Sequence, residues 1–371
     1  MSANAPDVAI IGGGIVGCAL AALLAEEGAS VRLYERDELA GGASGRNSGL
    51  LQHPMDEALV GVFRASHELY AGLGHGFEVP AEPAGVLVVG PDPGALEPVR
   101  AEVAERFPEL RPEALAPEEL RAAEPCLAED LAGYRLDTGR PVPPAAATRA
   151  FAQRARAAGA ELLEGTGATP LVAGGRATGV RTAAGAAPAG AVVVAAGPWT
   201  PALTDPAGAW RPISPVWGVV AELRLARSPR HALEEGGVEE LLSPQGVPGV
   251  LFSLVTREGA SVLGSTFYAE RPDPAAVAPA LVERGARFIP ALAGTQAVSV
   301  RACARPMSAD GRPLLGPLPG VEGLFVAAGH GPWGISLGPG SARLVADAVL
   351  GRPGEIAPEL AAARFGQARA A

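Results

Sequence analysis

The sequence predicts an α/β fold, and three observations near its N-terminus predict it. Asp7-Val8-Ala9-Ile10-Ile11 is a short apolar run of the kind a buried parallel strand shows. The run breaks at Gly12-Gly13-Gly14 and continues as Ile15-Val16-Gly17-Cys18-Ala19-Leu20-Ala21-Ala22-Leu23-Leu24, an Ala-rich apolar helix that Gly28 stops. A second strand, Ser30-Val31-Arg32-Leu33-Tyr34, ends in the acid Glu35. The whole unit takes about thirty residues, as the opening of a βαβ unit should.

Each position in that unit has a physical reason. Gly12 makes the tight turn out of the strand, Gly14 lets the backbone approach a pyrophosphate, and Gly17 lets the helix pack close on the sheet. Ile15 and Val16 begin the helix, whose free N–H groups and positive dipole end face the phosphates. Glu35, 18 residues after Gly17, suits a ribose diol, and its charge disfavours a 2′-phosphate. Arg36 follows it at the same strand end. The implied ligand is a dinucleotide, and the fingerprint by itself does not separate FAD from NAD.

Composition narrows the classes. At 371 residues the chain has material for about two to three domains. A hydrophobic content of 48% with 19% charged residues reads as globular. The net charge of −10 argues against nucleic acid or an anionic membrane surface as a partner. All 30 basic residues are arginine. Cys18, Cys126 and Cys303 are too few and too scattered for a disulfide framework or a zinc site, so a reducing, cytoplasmic setting without a metal is expected. The uncharged run Val8 to Ala25 approaches membrane-span length. Its glycines and the preceding Asp7 argue against a signal peptide or an integral membrane segment.

Further along, Gly41-Gly42-Ala43-Ser44-Gly45-Arg46-Asn47-Ser48-Gly49 is a small, polar run able to donate backbone and hydroxyl groups to a long cofactor. Ala191-Val192-Val193-Val194-Ala195-Ala196-Gly197 is a buried strand ending in a glycine turn. Gly323-Leu324-Phe325-Val326-Ala327-Ala328-Gly329-His330-Gly331 is another, leading through Gly334-Ile335-Ser336 to a helix expected over Gly340 to Leu350. Gly85 to Val89 and Trp217 to Leu225 read as strands, and Pro117 to Ala123 and Ala275 to Phe288 as helices.

These pieces resemble, in order and along nearly the full chain, the D-amino-acid oxidase-type FAD oxidoreductases, the group with glycine oxidase, sarcosine oxidase and D-amino-acid dehydrogenase. The matching segments are GGGIVG at 12–17 with Glu35, ASGRNSG at 43–49, VVVAAGPW at 192–199, RPMSADGRPLLG at 305–316 and GHGPWGIS at 329–336. The resemblance implies a Rossmann-type FAD domain from 1–75, 140–212 and 300–371. A discontinuous α+β substrate domain on an antiparallel sheet is implied for 76–139 and 213–299, with Gly139 to Ala147 crossing back. It implies FAD contacts from Gly12, Gly14, Ile15, Val16, Gly17, Glu35, Arg36, Ala43, Ser44, Asn47, Ser48, Gly49, Leu50 and Gly197. The N–H groups of Gly334, Ile335 and Ser336 would stabilise negative charge on the reduced flavin.

For the chemistry, the resemblance assigns Arg305 to the substrate carboxylate, a task that a guanidinium fork suits. His53, just after the small polar run, is expected near the flavin as an aid to proton removal, and His330 as a second candidate or a loop brace. Phe267 and Tyr268 are expected at the pocket wall. Cys303 falls where sarcosine oxidases attach the flavin covalently, so a non-covalent FAD is expected with a link through Cys303 as the alternative. Val262 stands where sarcosine oxidase-like enzymes place an oxygen-activating lysine, leaving oxygen, a quinone or a carrier protein as acceptor, with a dehydrogenase favoured. The expected reaction is oxidation of a small amino acid or amine by hydride transfer. The alternatives are a 2-hydroxy-acid dehydrogenase like the L-2-hydroxyglutarate enzymes, using His53 as base, and a non-catalytic flavoprotein.

Overall fold

The computed structural model describes residues 5–205, 208–237, 249–352 and 356–366. The N-terminal unit forms as its sequence dictates. The strand Val8–Ile11 lies at the centre of a six-stranded sheet, parallel to Val31–Tyr34 on one side and to Ala191–Val194 on the other. Glu161–Leu163 extends the sheet beyond Val31–Tyr34, and Leu324–Ala328 beyond Ala191–Val194, both parallel. Only the edge strand Leu314–Pro317 runs antiparallel.

The first helix, Ile15–Glu26, packs between the last helix, Gly334–Val349, and the helix Pro144–Ala157. Burial on both sides explains why it is apolar all round. The 18-residue uncharged run is therefore a core strand plus a core helix, and among the described residues no helix is long and apolar enough to cross a membrane.

The last helix starts at Gly334, six residues before the expected Gly340, and carries Pro339 inside it. Pro339 has no N–H for the carbonyl of Ile335 four residues back, and Tyr70 Oη donates to that carbonyl at 2.7 Å. An external donor thus lets the helix run through a residue that normally ends one.

The second body is an eight-stranded sheet in the order Ser299–Ser308, Ile213–Leu223, Ala260–Thr266, Val250–Arg257, Ala232–Glu235, Val86–Gly90, Ala132–Leu136, Glu113–Leu115. It is antiparallel except where Ala232–Glu235 runs parallel to Val86–Gly90. One face is closed by the helices Pro274–Ala286 and Pro117–Ala123, with Leu87, Leu120, Phe252, Leu281 and Phe288 in one apolar cluster. The other face looks across a cleft at the fingerprint.

The strand Ser299–Ser308 pairs with Ile213–Leu223 along ten successive residues. Hydrogen bonding therefore ties most of it to the substrate-side sheet, although the sequence division assigns 300–371 to the cofactor side. The chain crosses back after Ser308, into the edge strand Leu314–Pro317.

Candidate functional site

Between the two sheets lies a cavity of about 1320 Å³, larger than the usual few hundred to 1,000 Å³ of a small-ligand site. It has room for a dinucleotide and a second small molecule.

One end is the glycine fingerprint. Gly12 has φ 117°, and a Cβ there would stand 2.4 Å from the carbonyl oxygen of Ala195. A Cβ on Gly17 would stand 2.0 Å from the carbonyl oxygen of Gly12, so only glycine lets the helix sit this close to the turn. Gly14 caps the helix without a side-chain bond, and Ser44 Oγ accepts the Ile15 N–H at 2.9 Å. The N-terminal donors therefore face the cavity with little protein in front of them. Glu35 lines the same end, and its carboxylate accepts the N–H groups of Gly13 at 2.6 Å and Asp37 at 2.9 Å. The Arg36 guanidinium lies 5.1 Å over the Trp199 ring, and both line the cavity. Backbone donors, glycine clearances and an acid at the strand end together suit a dinucleotide.

The small polar run forms the short helical turn Ala43–Arg46 and a loop along the middle of the cavity, lined by Ala43, Ser44, Asn47, Ser48 and Leu50. Asn47 is also its staple: Nδ2 donates to the carbonyls of Ala43 and Ser44, and Oδ1 accepts the Gly49 N–H at 2.8 Å. Gly49 is not in the lining; a Cβ there would stand 2.1 Å from the Val142 carbonyl oxygen. Arg301, from the edge strand of the large sheet, donates to the carbonyls of Arg46 and Asn47 and ties the loop across the cleft. Opposite, Gly334, Ile335 and Ser336 open the last helix without a side-chain cap and line the cavity. Ile15, Val16 and Gly197 also line it, whereas Gly17 packs behind the turn.

Arg305 closes the far end. It lies flat on Gly218, where a Cβ would stand 2.4 Å from its guanidinium nitrogens, and 4.6 Å from the Phe267 ring centre. Its Nη1 donates to the Thr266 carbonyl at 2.7 Å and its Nη2 to Ser265 Oγ at 2.5 Å. Among the described residues no carboxylate pairs with it, and burial pulls its pKa down from the ordinary arginine value. A half-buried guanidinium bonded only to neutral oxygens is a charge waiting for an anion. Cys303 lines the cavity two residues earlier; burial pushes its thiol up, opposed by Arg305, Arg301 and Arg46.

The two histidines part company. His330 lines the cavity, but its Nε2 is 2.9 Å from Ser341 Oγ on the last helix, and burial pushes its pKa down to about 4. It is a neutral brace between loop and helix. His53 is not brought to the cavity. Its ring lies between Phe63 and Phe107, with centroids at 5.2 and 5.6 Å, and burial lowers its pKa against the pull of Glu109. Leu50 and Gln52 line the cavity while Leu51 and His53 do not, so the alternation of the short strand Leu50–Leu51 carries on past its end and turns His53 away. The expected contact between His53 and the flavin face is therefore absent from this geometry. Tyr268 and Val262 are likewise outside the cavity lining, while Phe267 is in it.

Sequence reasoning missed Gln52, Tyr134, Glu234 and Ser265, all of which line the cavity. For Glu234 a signal existed. Two successive acids in a strand, Glu234-Glu235, must point to opposite faces, so one of them had to face inward.

The family model described as "DAO: FAD dependent oxidoreductase" matches residues 7–348. A glycine oxidase of Pseudomonas aeruginosa is 30% identical over 95% of this chain and 96% of its own length. A D-amino acid dehydrogenase of Cereibacter sphaeroides is 34% identical over 59% of this chain and 48% of its own. Among solved structures, glycine oxidase from Geobacillus kaustophilus superposes with a TM-score of 0.82 at 26% identity, covering 99% of both chains. L-proline dehydrogenase from P. horikoshii gives 0.83 at 23% identity over 98% of this chain and 99% of its own, a likeness of fold.

Proposed function

The chain belongs to the DAO family of FAD-dependent oxidoreductases, and from that premise we propose that its cleft oxidises a small amino acid or related amine held by Arg305. FAD is the cofactor of the family, and when bound it supplies the two-electron acceptor for a hydride from the substrate carbon. The glycine turn at 12–14 and the first helix would hold its pyrophosphate, and Glu35 its adenosine ribose. The small polar run and the N-terminus of the last helix would flank its flavin end.

The observation that carries the substrate reading is the half-buried Arg305, neutralised by no carboxylate among the described residues and open to the cavity. A substrate carboxylate completes it with charge-assisted bonds, and Phe267 and Gly218 fix the plane of the fork. With the carboxylate anchored, the C–H bond of the neighbouring carbon is oriented rather than activated, and orientation is the main requirement of hydride transfer. The amine must be neutral at that moment. His330, uncharged and bonded to Ser341, keeps the loop in place and adds no positive charge that would repel an ammonium. The product is an imine that hydrolyses to a keto acid.

The chain contains no lysine, so the cleft lacks the ammonium group that would stabilise superoxide beside the flavin. We read a quinone or carrier protein as the acceptor in preference to oxygen, and a non-covalent flavin, since the Cys303 thiol is held protonated by burial. The 2-hydroxy-acid reading relied on His53 as base, and neither the relatives named above nor the lining of the cavity favours it.

The test is anaerobic visible absorbance of the flavin-loaded protein against D- and L-amino acids, N-methyl amino acids and 2-hydroxy acids, followed by air. Bleaching by an amine class, with slow recovery in air, is expected. Bleaching by hydroxy acids alone overturns the proposal, and fast recovery in air overturns the choice of acceptor.

A further inference from the structure

Glu234 is a half-buried acid that the reaction above does not use. It stands beside Glu235 on the strand Ala232–Glu235, and the two point to opposite faces. Glu235 pairs with Arg284 and accepts the Phe252 N–H at 2.9 Å. Glu234 lines the cavity, where Gln52 Nε2 donates to one carboxylate oxygen at 3.2 Å. That is its one side-chain partner among the described residues, and no cation there pairs with it. Its register neighbours on this face are Val88 and, beyond it, Tyr134 on one side and Ser253 on the other. Leu136 and Val255 also line this part of the cavity. Enclosure raises the carboxyl above its ordinary range, with the Gln52 bond opposing. A carboxylate in such a wall with a single neutral donor carries a desolvation penalty that an incoming cation relieves.

The position of the acid relative to Arg305 defines what that cation is attached to. The Arg305 head group, bonded to Ser265 and Thr266, lies at the strand Ala260–Thr266. Glu234 is two strands further across the same sheet, roughly 10 Å away at ordinary strand spacing. The cavity thus offers a half-buried cation and a half-buried anion on one wall, a short side chain's length apart. The reacting amine is a poor occupant for the acid, because a carboxylate would hold its proton on when hydride transfer needs it off.

We propose that Glu234, braced by Gln52, is a cation subsite for the substrate side chain, so that the preferred substrate is an amino acid with a second, unreacting basic nitrogen (a diamino or guanidino acid). The inference rests on the amine-oxidising reading of the cleft, with the α-carboxylate on Arg305.

Two measurements on the flavin-loaded protein test it. The first is a binding titration, followed by flavin difference absorbance, of 4-aminobutyrate, 5-aminopentanoate and 6-aminohexanoate, each against the plain carboxylate of equal chain length. At the best length the amino form binds about tenfold tighter or better in the unaltered protein, and Glu234→Gln abolishes that preference. Equal binding of amino and plain forms in the unaltered protein overturns the subsite, whatever the turnover results. The second is anaerobic flavin reduction by 2,4-diaminobutyrate, ornithine, lysine and arginine against norvaline and norleucine, in both enantiomers. The basic acids are favoured in kcat/KM, and Glu234→Gln lowers the basic-to-neutral ratio by about tenfold or more. If the substitution lowers both groups equally, Glu234 serves the reacting amine and the proposal falls. If no amine reduces the flavin, the amine-oxidase reading falls, while the binding titration still decides the subsite.

Discussion

At the fingerprint end the cavity wall is backbone. Gly12, Gly14 and Gly17 contribute an absence of side chains, and the donors are the N–H groups that every helix leaves unpaired in its first turn. At the Arg305 end the wall is side chains standing on a sheet whose strands come from distant parts of the chain. The difference has a physical consequence. A backbone site tolerates no added atom, because a Cβ at Gly17 lies 2.0 Å from a carbonyl that cannot move without moving the central strand. A side-chain site can change its occupants without changing the fold, so on the proposed reading the first end would set the cofactor and the second the substrate.

The largest expected effect breaks the comparison at its backbone end. Gly17→Ala forces the first helix off the turn, with overpacking of about 2–3 kcal/mol and loss of the phosphate site. Purified Gly17→Ala protein should carry little or no flavin and melt at a lower temperature. Full flavin content by absorbance would show that the helix does not need its close approach.

A smaller effect is expected from Arg305→Lys. The ammonium keeps the charge but loses the planar fork that bonds Ser265, Thr266 and a carboxylate together. Flavin content should match the parent, while kcat/KM for the best amino acid falls about 10- to 100-fold, mostly through KM. Equal losses with an uncharged amine as substrate would mean that Arg305 does not bind the carboxylate.

The same division explains what could be read from the sequence. Val8 to Glu35 was legible because local rules determine it: a buried strand, a glycine turn and an apolar helix sit next to one another in the chain. The last helix was legible in kind, but its start was not. Gly334–Pro339 reads as a loop until Tyr70, far away in sequence, supplies the donor that Pro339 removes from the ladder. At the substrate end, Arg305 was named because it stands in a motif. Gln52 and His53 are adjacent, and the contacts that hold their segment, the pairing of Leu50–Leu51 with Arg140–Pro141 and the backbone bonds of Gln52 to Ser336 and His53 to Thr138, all come from far along the chain. The adjacency of Glu234 and Glu235 says that the two face opposite ways, but which of them meets the cleft is set by long-range register, since their four-residue strand pairs with residues 86–90 and 250–257. Local chemistry was readable, and non-local register was not.

The smallest effect sharpens the boundary between the two ends, where His330 lines the cavity yet is tied to the last helix through Ser341. Burial holds its folded pKa at about 4 against 6.5 in the unfolded chain. Below pH 6.5 the unfolded chain therefore takes up a proton that the folded chain refuses, and stability declines as pH falls toward 4. The contribution is at most about 1.4 kcal/mol per pH unit inside that window. His53 and His67 are lowered in the same direction, so the slope belongs to several groups and only a difference isolates His330. Urea unfolding of the parent and of His330→Asn between pH 6.5 and 5 makes that difference measurable. Asparagine can still donate to Ser341 Oγ but has nothing to titrate. The substituted protein should lose stability less steeply with acid, by about 1 kcal/mol per pH unit, whatever its stability at pH 7. Parallel slopes would mean that His330 takes up its proton as readily in the folded chain as in the unfolded one. In that case the histidine would be a titrating member of the substrate end, not a neutral brace of the scaffold.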